Sequence, residues 1–309
     1  MYLRRDQLKR IARAPAKLNL YLEILGRRGD GFHELETLMV PIGLSDSLSF
    51  ISTPMADGQP GAIVLDVREC FPIRASQRPP AIPTGSENLV VRALELLRER
   101  SECRLGAHVE LVKRIPAAAG MGGGSSDAAA ALRLANTAWH LDWPIDRLTE
   151  MAAEIGSDVP FFLSGGPAIC RGRGEQVERV VGMRPLHFVI VKPPIGLSTA
   201  DVYRVHDAFI SDLQRPGAGN RPISSWALEG LTDAGRWMRN RLQAAAATVS
   251  PWVERLQAAF DKLDFLGHQL SGSGSAYFGV CRHAQHARRL ATILRTQHLG
   301  LVYATRSCA

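Results

Sequence analysis

Lysine is scarce in this chain, five residues against 32 arginines, and the 37 basic residues exceed the 30 acidic ones by only seven. Acidic residues are interspersed among the arginines and no run of five like charges occurs. That pattern is a weak signal for nucleic acid and leaves anionic small molecules open as ligands. Cysteine is sparse as well. Cys70, Cys103, Cys170, Cys281 and Cys308 are scattered, odd in number and free of any C-x-x-C spacing. This argues against a disulfide framework or a zinc site and for a reducing compartment. No apolar run approaches the roughly 18 residues of a membrane-spanning helix. The opening stretch MYLRRDQLKRIARAPAKL also lacks the apolar core of a secretory signal. The expectation is a cytoplasmic protein with no membrane partner. Apolar residues at 46% and charged residues at 22% rule out wholesale disorder. At roughly 150 residues per domain, 309 residues suggest two domains or one large one.

Period-2 alternation at 18–25, with Leu18, Leu20, Leu22 and Ile24 on one side, predicts a half-buried strand. Further strands are expected at 34–42, 47–52, 63–67, 108–115, 168–171 and 186–191. The segments 54–61 and 72–85 read as surface loop. Ser86 is positioned to cap a helix running through Arg100, and helices are expected at 126–139, 145–155, 232–247, 251–263 and 283–297. The stretch 214–225 is the most linker-like. Strands and helices mix without strict βαβ alternation, so the class is α+β.

The segment from Ile115 to Leu132 carries the strongest chemical signal. Glycines at 120, 122, 123 and 124 allow tight turns and close approach of backbone N–H groups to a ligand. Ser125, Ser126 and Asp127 then open an Ala-rich helix, whose free amides and dipole favour phosphate. The pattern is neither G-x-x-x-x-G-K-[ST] nor G-x-G-x-x-G. A strand before it and a helix directly after it favour a nucleotide phosphate loop over an ordinary flexible turn. Lys17, one of so few lysines, heads the first alternating strand and offers a point charge to a phosphoryl group or a hydroxyl. Asp158, in Gly156-Ser-Asp-Val-Pro160, is either a helix cap or a general base for a substrate hydroxyl.

Three motifs stand in order: Pro15-Ala-Lys-Leu-Asn-Leu, Pro116-Ala-Ala-Ala-Gly-Met-Gly-Gly-Gly-Ser-Ser, and Leu270-Ser-Gly-Ser-Gly-Ser. Together they resemble the GHMP kinase superfamily. Gly29-Asp-Gly-Phe-His-Glu, Gly156-Ser-Asp-Val-Pro-Phe-Phe and Gly196-Leu-Ser-Thr-Ala-Asp-Val-Tyr narrow the resemblance to members acting on a cytidine-diphosphate-linked methylerythritol. The resemblance implies a two-lobed α+β fold. An N-terminal lobe over 1–185 would resemble a ribosomal-protein domain, and a C-terminal lobe over 186–309 would be ferredoxin-like. It implies ATP, with Mg²⁺ but no dedicated protein metal site, and transfer to the 2-hydroxyl of 4-diphosphocytidyl-2-C-methyl-D-erythritol for isoprenoid precursors. Lys17 and Asp158 would be catalytic. Pro116, Ala117, Ala118, Ala119, Gly120, Met121, Gly122, Gly123, Gly124, Ser125 and Ser126 would cradle the ATP phosphates, with Asn88 beside adenine. Asn19, Phe32, His33, Thr199 and Tyr203 would bind the substrate, the aromatic rings stacking on its base. Asp201 lies near that second wall, while Gly272 and Gly274 would close over the site.

Two other readings compete. Another small-molecule kinase of the superfamily would need no base-stacking residues. A basic RNA-binding protein would show salt-dependent binding but would leave Lys17 and Asp158 without a role.

Overall fold

The computed structural model describes residues 8–55, 58–70, 81–210 and 237–308. The linker-like stretch 214–225, most of the loop 72–85 and the first part of the helix expected at 232–247 lie outside them. Two compact units interleave along the chain, the first made of 1–16, 45–115 and 122–165, the second of 17–44, 116–121 and 166–309. Strands β1 (Arg10–Arg27) and β2 (His33–Thr53) each run through both units.

In the first unit, β3 (Ile63–Glu69) pairs parallel with β4 (Gly106–Lys113), and β4 pairs antiparallel with the second half of β2. Helices α1 (Leu89–Ser101), α2 (Gly123–Ala138), α3 (Ile145–Ile155) and the single-turn α4 (Val159–Ser164) complete it. The apolar positions of α1 recur at helical spacing, so Val90, Val91, Ala93, Leu94 and Leu97 are buried together. The run from Ser126 to Leu132 in α2 is buried, and its alanines keep that helix thin among its neighbours. Phe50 meets Trp139 edge-on at 5.9 Å, and the Trp139 indole donates to Gly106 O at 3.1 Å, so this large ring is buried without an orphaned N–H.

In the second unit, the strand order is β8 (Arg239–Asn240), β1, the first half of β2, β5 (Ala168–Gly172) and β6 (Gln176–Arg179). A four-stranded antiparallel sheet orders β11 (Leu301–Arg306), β7 (His187–Lys192), β10 (Tyr277–Cys281) and β9 (Gly267–Leu270). Helices α5 (Thr199–Ile210), α6 (Gln243–Val249), α7 (Pro251–Asp261) and α8 (Ala284–Thr296) belong here. Val189, Val191, Leu256, Phe260, Tyr277, Leu290 and Leu294 form its apolar core.

Several expectations are corrected. The segments 34–42 and 47–52 are one strand, because Gly43–Asp46 continues the extended backbone instead of turning. Asn88, not Ser86, caps α1, its carboxamide oxygen accepting from Val90 N at 2.9 Å. Helix α2 begins three residues early, inside the glycine run. Residues 239–240 form a strand where helix was expected. Helices α4 and α5 and strands β6 and β11 were not anticipated.

Gly279 sits in mid-strand because Phe265 packs flat on its Cα. A Cβ there would stand 2.4 Å from the Phe265 ring, which itself stacks on Phe260 at 4.8 Å and 18°. Gly279→Ala is expected to destabilise the protein by about 1–3 kcal/mol through overpacking. Adding Phe265→Leu should recover part of that loss in urea unfolding.

Candidate active site

The second unit collects Lys17, Asn19, the Pro116–Met121 segment, the Ser271–Ser275 turn and Thr199. Lys17 and Asn19 point to one side of β1, as the strand period requires, and are 5% and 2% exposed. Lys17 Nζ donates to Asn19 Oδ1 at 2.6 Å, Asn19 Nδ2 donates to Thr37 Oγ1 at 2.9 Å, and Thr37 donates on to Tyr21 O at 2.6 Å. The Asn19 amide is thereby fixed with its oxygen toward the cation. A buried ammonium requires such acceptors. Gln269 Nε2, at the end of β9, donates to the carbonyls of Asn19 and Leu20 at 2.9 and 3.0 Å and holds the strand from its other partner groups.

Two turns close on this lysine. Lys17 N donates to Met121 O at 2.9 Å, anchoring the glycine loop to β1. Gly120 adopts φ +70°, and a Cβ there would meet Ser271 O at 2.1 Å and Gly274 O at 2.9 Å, so backbone packs on backbone. Ser271 Oγ donates to Gly120 O at 3.1 Å, Ala276 N to Ala119 O at 3.1 Å, and Ser275 Oγ to Ala118 O at 3.3 Å. Gly272, at φ +57°, lies where a Cβ would be 3.4 Å from Lys17 Nζ and 3.3 Å from Asn19 Oδ1. Asn240 Nδ2 donates to Leu270 O and Gly272 O, both at 2.8 Å, and fixes the turn from below. Buried Lys192 donates to Pro193 O and Ile195 O at 2.7 Å each, and burial lowers its pKa to about 8. Ile195 O in turn accepts from Ser275 Oγ at 2.7 Å.

The first unit holds Gly122–Ser126, Asn88 and Asp158. Gly122, at φ +68°, starts α2, and no side chain caps the helix. The first amides of α2 therefore lack intrahelical acceptors, the arrangement that suits phosphate oxygens. Ser126 Oγ and Asp127 Oδ1 are buried with no hydrogen-bond partner among the described residues. Beneath them Lys113 bridges two buried carboxylates, Asp46 and, at 2.6 Å, Asp127. Asp46 also accepts from the backbone N–H groups of Arg114 and Ile115, which tethers the strand end that leads into the glycines. Asn88 donates to Pro83 O at 2.7 Å besides capping α1, so both ends of its amide serve the local chain. Asp158 occupies the cap position of α4 and makes no capping bond there.

The expected aromatic wall is partly assembled, within the second unit. His33 packs on Tyr203 with ring centroids 4.8 Å apart and tilted by 31°. Phe32 is 49% exposed with the Arg173 guanidinium 4.8 Å above its ring, so it is not a core residue. Thr199 Oγ1 lies 2.8 Å from Ser273 Oγ, joining α5 to the Ser271–Ser275 turn. Asp201 instead pairs with Arg204 at 2.7 Å along its own helix.

Sequence reasoning missed Asp46, Lys113, Asp127, Asn240 and Gln269. Lys113 and Asp127 carried a signal, a scarce lysine before the glycines and an acid near the start of an Ala-rich helix. Asp127 is pushed up to about 8 from an ordinary 3.8, chiefly by burial. A carboxyl whose pKa rises on folding holds its proton more tightly in the folded state, so its contribution to stability falls as pH climbs from about 4 to about 8. Asp127→Asn is expected to remove that part of the slope. Urea midpoints of the two proteins measured at pH 5, 6, 7 and 8 should converge on the Asn variant's favour as pH increases.

Known proteins resemble this chain along nearly its whole length. Family models described as the GHMP kinases N terminal domain and GHMP kinases C terminal match residues 88–166 and 225–299. A 4-diphosphocytidyl-2-C-methyl-D-erythritol kinase of Pelotomaculum thermopropionicum is 41% identical over 92% of this chain and 93% of its own length. One of Exiguobacterium sibiricum is 36% identical over the same shares. A crystal structure of 4-(cytidine 5'-diphospho)-2C-methyl-D-erythritol kinase superposes with a TM-score of 0.74 at 32% identity, covering 98% of this chain and all of the other. A homoserine kinase of Cytophaga hutchinsonii, 18% identical with a TM-score of 0.69, shares the fold. With relatives of this identity spanning nearly its whole length, the chain belongs to the GHMP kinases, in the family of the 4-diphosphocytidyl-2-C-methyl-D-erythritol kinases.

Proposed function

We propose that the chain transfers the γ-phosphoryl group of ATP to the 2-hydroxyl of 4-diphosphocytidyl-2-C-methyl-D-erythritol. The observation that carries this reading is the buried Lys17–Asn19 pair with two glycine turns closed on it, Gly120 and Gly272 both lying where no side chain would fit comfortably. Phosphoryl transfer asks a protein mainly for positioning and for charge stabilisation. A desolvated ammonium held by an amide oxygen supplies a fixed positive charge that need not reorganise during the reaction. Lys17 holds the acceptor hydroxyl and offsets charge on the group in flight, and Asp158 accepts the hydroxyl proton. The loop from Pro116 to Ser126 receives the phosphates on its backbone N–H groups, Pro116 itself having none, and Asn19 keeps Lys17 in place. Lobes at 1–185 and 186–309, cytoplasmic location and independence from nucleic acid and membrane go with this reading. No helix among the described residues is long and apolar enough to cross a membrane.

Magnesium fits as an ion carried in by the nucleotide. The described residues include no group of three or more His, Cys, Asp or Glu side chains able to hold a metal. The unpartnered Ser126 hydroxyl, and Ser125 beside it, are the side chains that would reach it. Bound there, the ion neutralises phosphate charge.

An ADP-release assay with the cytidine substrate tests the reading. Asp158→Ala and Lys17→Ala are each expected to lower kcat by on the order of 10²–10⁴, while homoserine and mevalonate give no turnover. Near-native turnover by Asp158→Ala would remove it as the base. Phosphorylation of the plain alcohols without the cytidine substrate would point to a different kinase of the superfamily.

A further inference from the structure

Helix α5 carries Tyr203, His206 and Asp207 along one side, and all three address the ring of His33. Tyr203 covers its face at 4.8 Å. Asp207, one turn further along, takes its edge, with Oδ1 2.6 Å from His33 Nε2. The second carboxylate oxygen lies 3.8 Å from the Arg27 guanidinium. An ionised carboxylate only accepts, so Nε2 must carry the proton of this bond. In the neutral imidazole that choice leaves Nδ1 as a bare lone pair. His206 approaches the same ring edge-on at 6.4 Å, and burial together with Arg241 keeps its own pKa below the ordinary value, so it adds no nearby cation to compete for Asp207.

We propose that Asp207 is the positioning residue that turns His33 into an amine-reading group, selecting cytosine over uracil in the nucleotide part of the substrate. The inference rests on the reading of Phe32-His33 as the base-recognising loop. An accepting Nδ1 takes an N–H from the 4-amino group of cytosine. Uracil presents a carbonyl oxygen at that position, setting lone pair against lone pair and leaving both groups unpaired. Discrimination of this kind is large when a site is built to pair a polar group, because the wrong partner strands it. Asparagine in place of Asp207 can accept or donate, so it allows the other tautomer, whose Nδ1–H suits uracil.

The test compares the full chain with Asp207→Asn and Asp207→Ala on the cytidine substrate and on its uridine counterpart, following ADP release at pH 8. Both variants are expected to raise KM for the cytidine substrate by roughly tenfold with kcat little changed. The ratio of kcat/KM values, cytidine over uridine, should fall by at least the same factor. In ¹⁵N-histidine spectra the His33 signals, assigned through His33→Gln, should report a protonated Nε2 in the native chain and lose that preference in Asp207→Asn. An unchanged ratio in Asp207→Asn, or a native His33 protonated on Nδ1 alone, would overturn the proposal. A native chain inactive on both nucleotide substrates would overturn the kinase reading and base selection with it, while the ring tautomer is still read independently from the spectra.

Discussion

A lysine ammonium 5% exposed to water has to be provided for by everything around it, and much of the second unit can be understood as that provision. Desolvating such a charge without acceptors is too unfavourable to persist. Asn19 supplies one acceptor, and Thr37 fixes which way its amide faces. Gln269 then secures the carbonyls of the same strand. The arrangement leaves Lys17 close to the two turns at Gly120 and Gly272, where absent side chains let backbone approach backbone. A charge held this way is worth more to a reaction than a flexible surface lysine, because its orientation is settled before substrate arrives.

The first unit solves a related problem by different means. Lys113 there faces two carboxylates, and three charges without water are tolerable only if geometry and proton sharing compensate. Burial raises the pKa of Asp127 despite the cation beside it. Asp46 spends its other oxygen on the amides of Arg114 and Ile115. The strand end and the start of α2 are thus tied through one ionic cluster, which sets where the uncapped amides of that helix lie. Ion pairing here specifies position; its net contribution to stability is secondary.

The strong periodic elements were legible in the sequence. Helix α3 falls at 145–155 as its spacing indicates, and α1, α8 and strands β3, β4, β5 and β7 lie within a few residues of expectation. The misses have physical causes. Strand β2 was split because Gly43 and Asp46 look like turn residues, yet Asp46 is buried against Lys113 and the chain stays extended. Helix α5 is obscured because its buried residues, Val202 and His206, are few among polar and exposed neighbours. Lys17 stood out because lysine is rare, whereas Asn240 and Gln269 are ordinary polar residues. Their importance depends on carbonyls that come near only after folding. Short-range pattern can reveal a charge that needs a reason; it cannot reveal which distant backbone group a neutral amide will satisfy.

That difference separates two kinds of constraint. Lys17 and Asn19 sit on a strand beside two glycine turns, and at Gly120 a side chain would meet backbone within 3 Å and could not be absorbed. On α5, Tyr203 and Asp207 reach His33 through side chains that can be exchanged one at a time. The first arrangement resists change because backbone cannot move aside without dismantling both turns. The second can be retuned by altering a hydrogen-bond donor or acceptor on α5 while its fold persists. Side chains on such a helix can therefore change without disturbing the backbone contacts that surround Lys17.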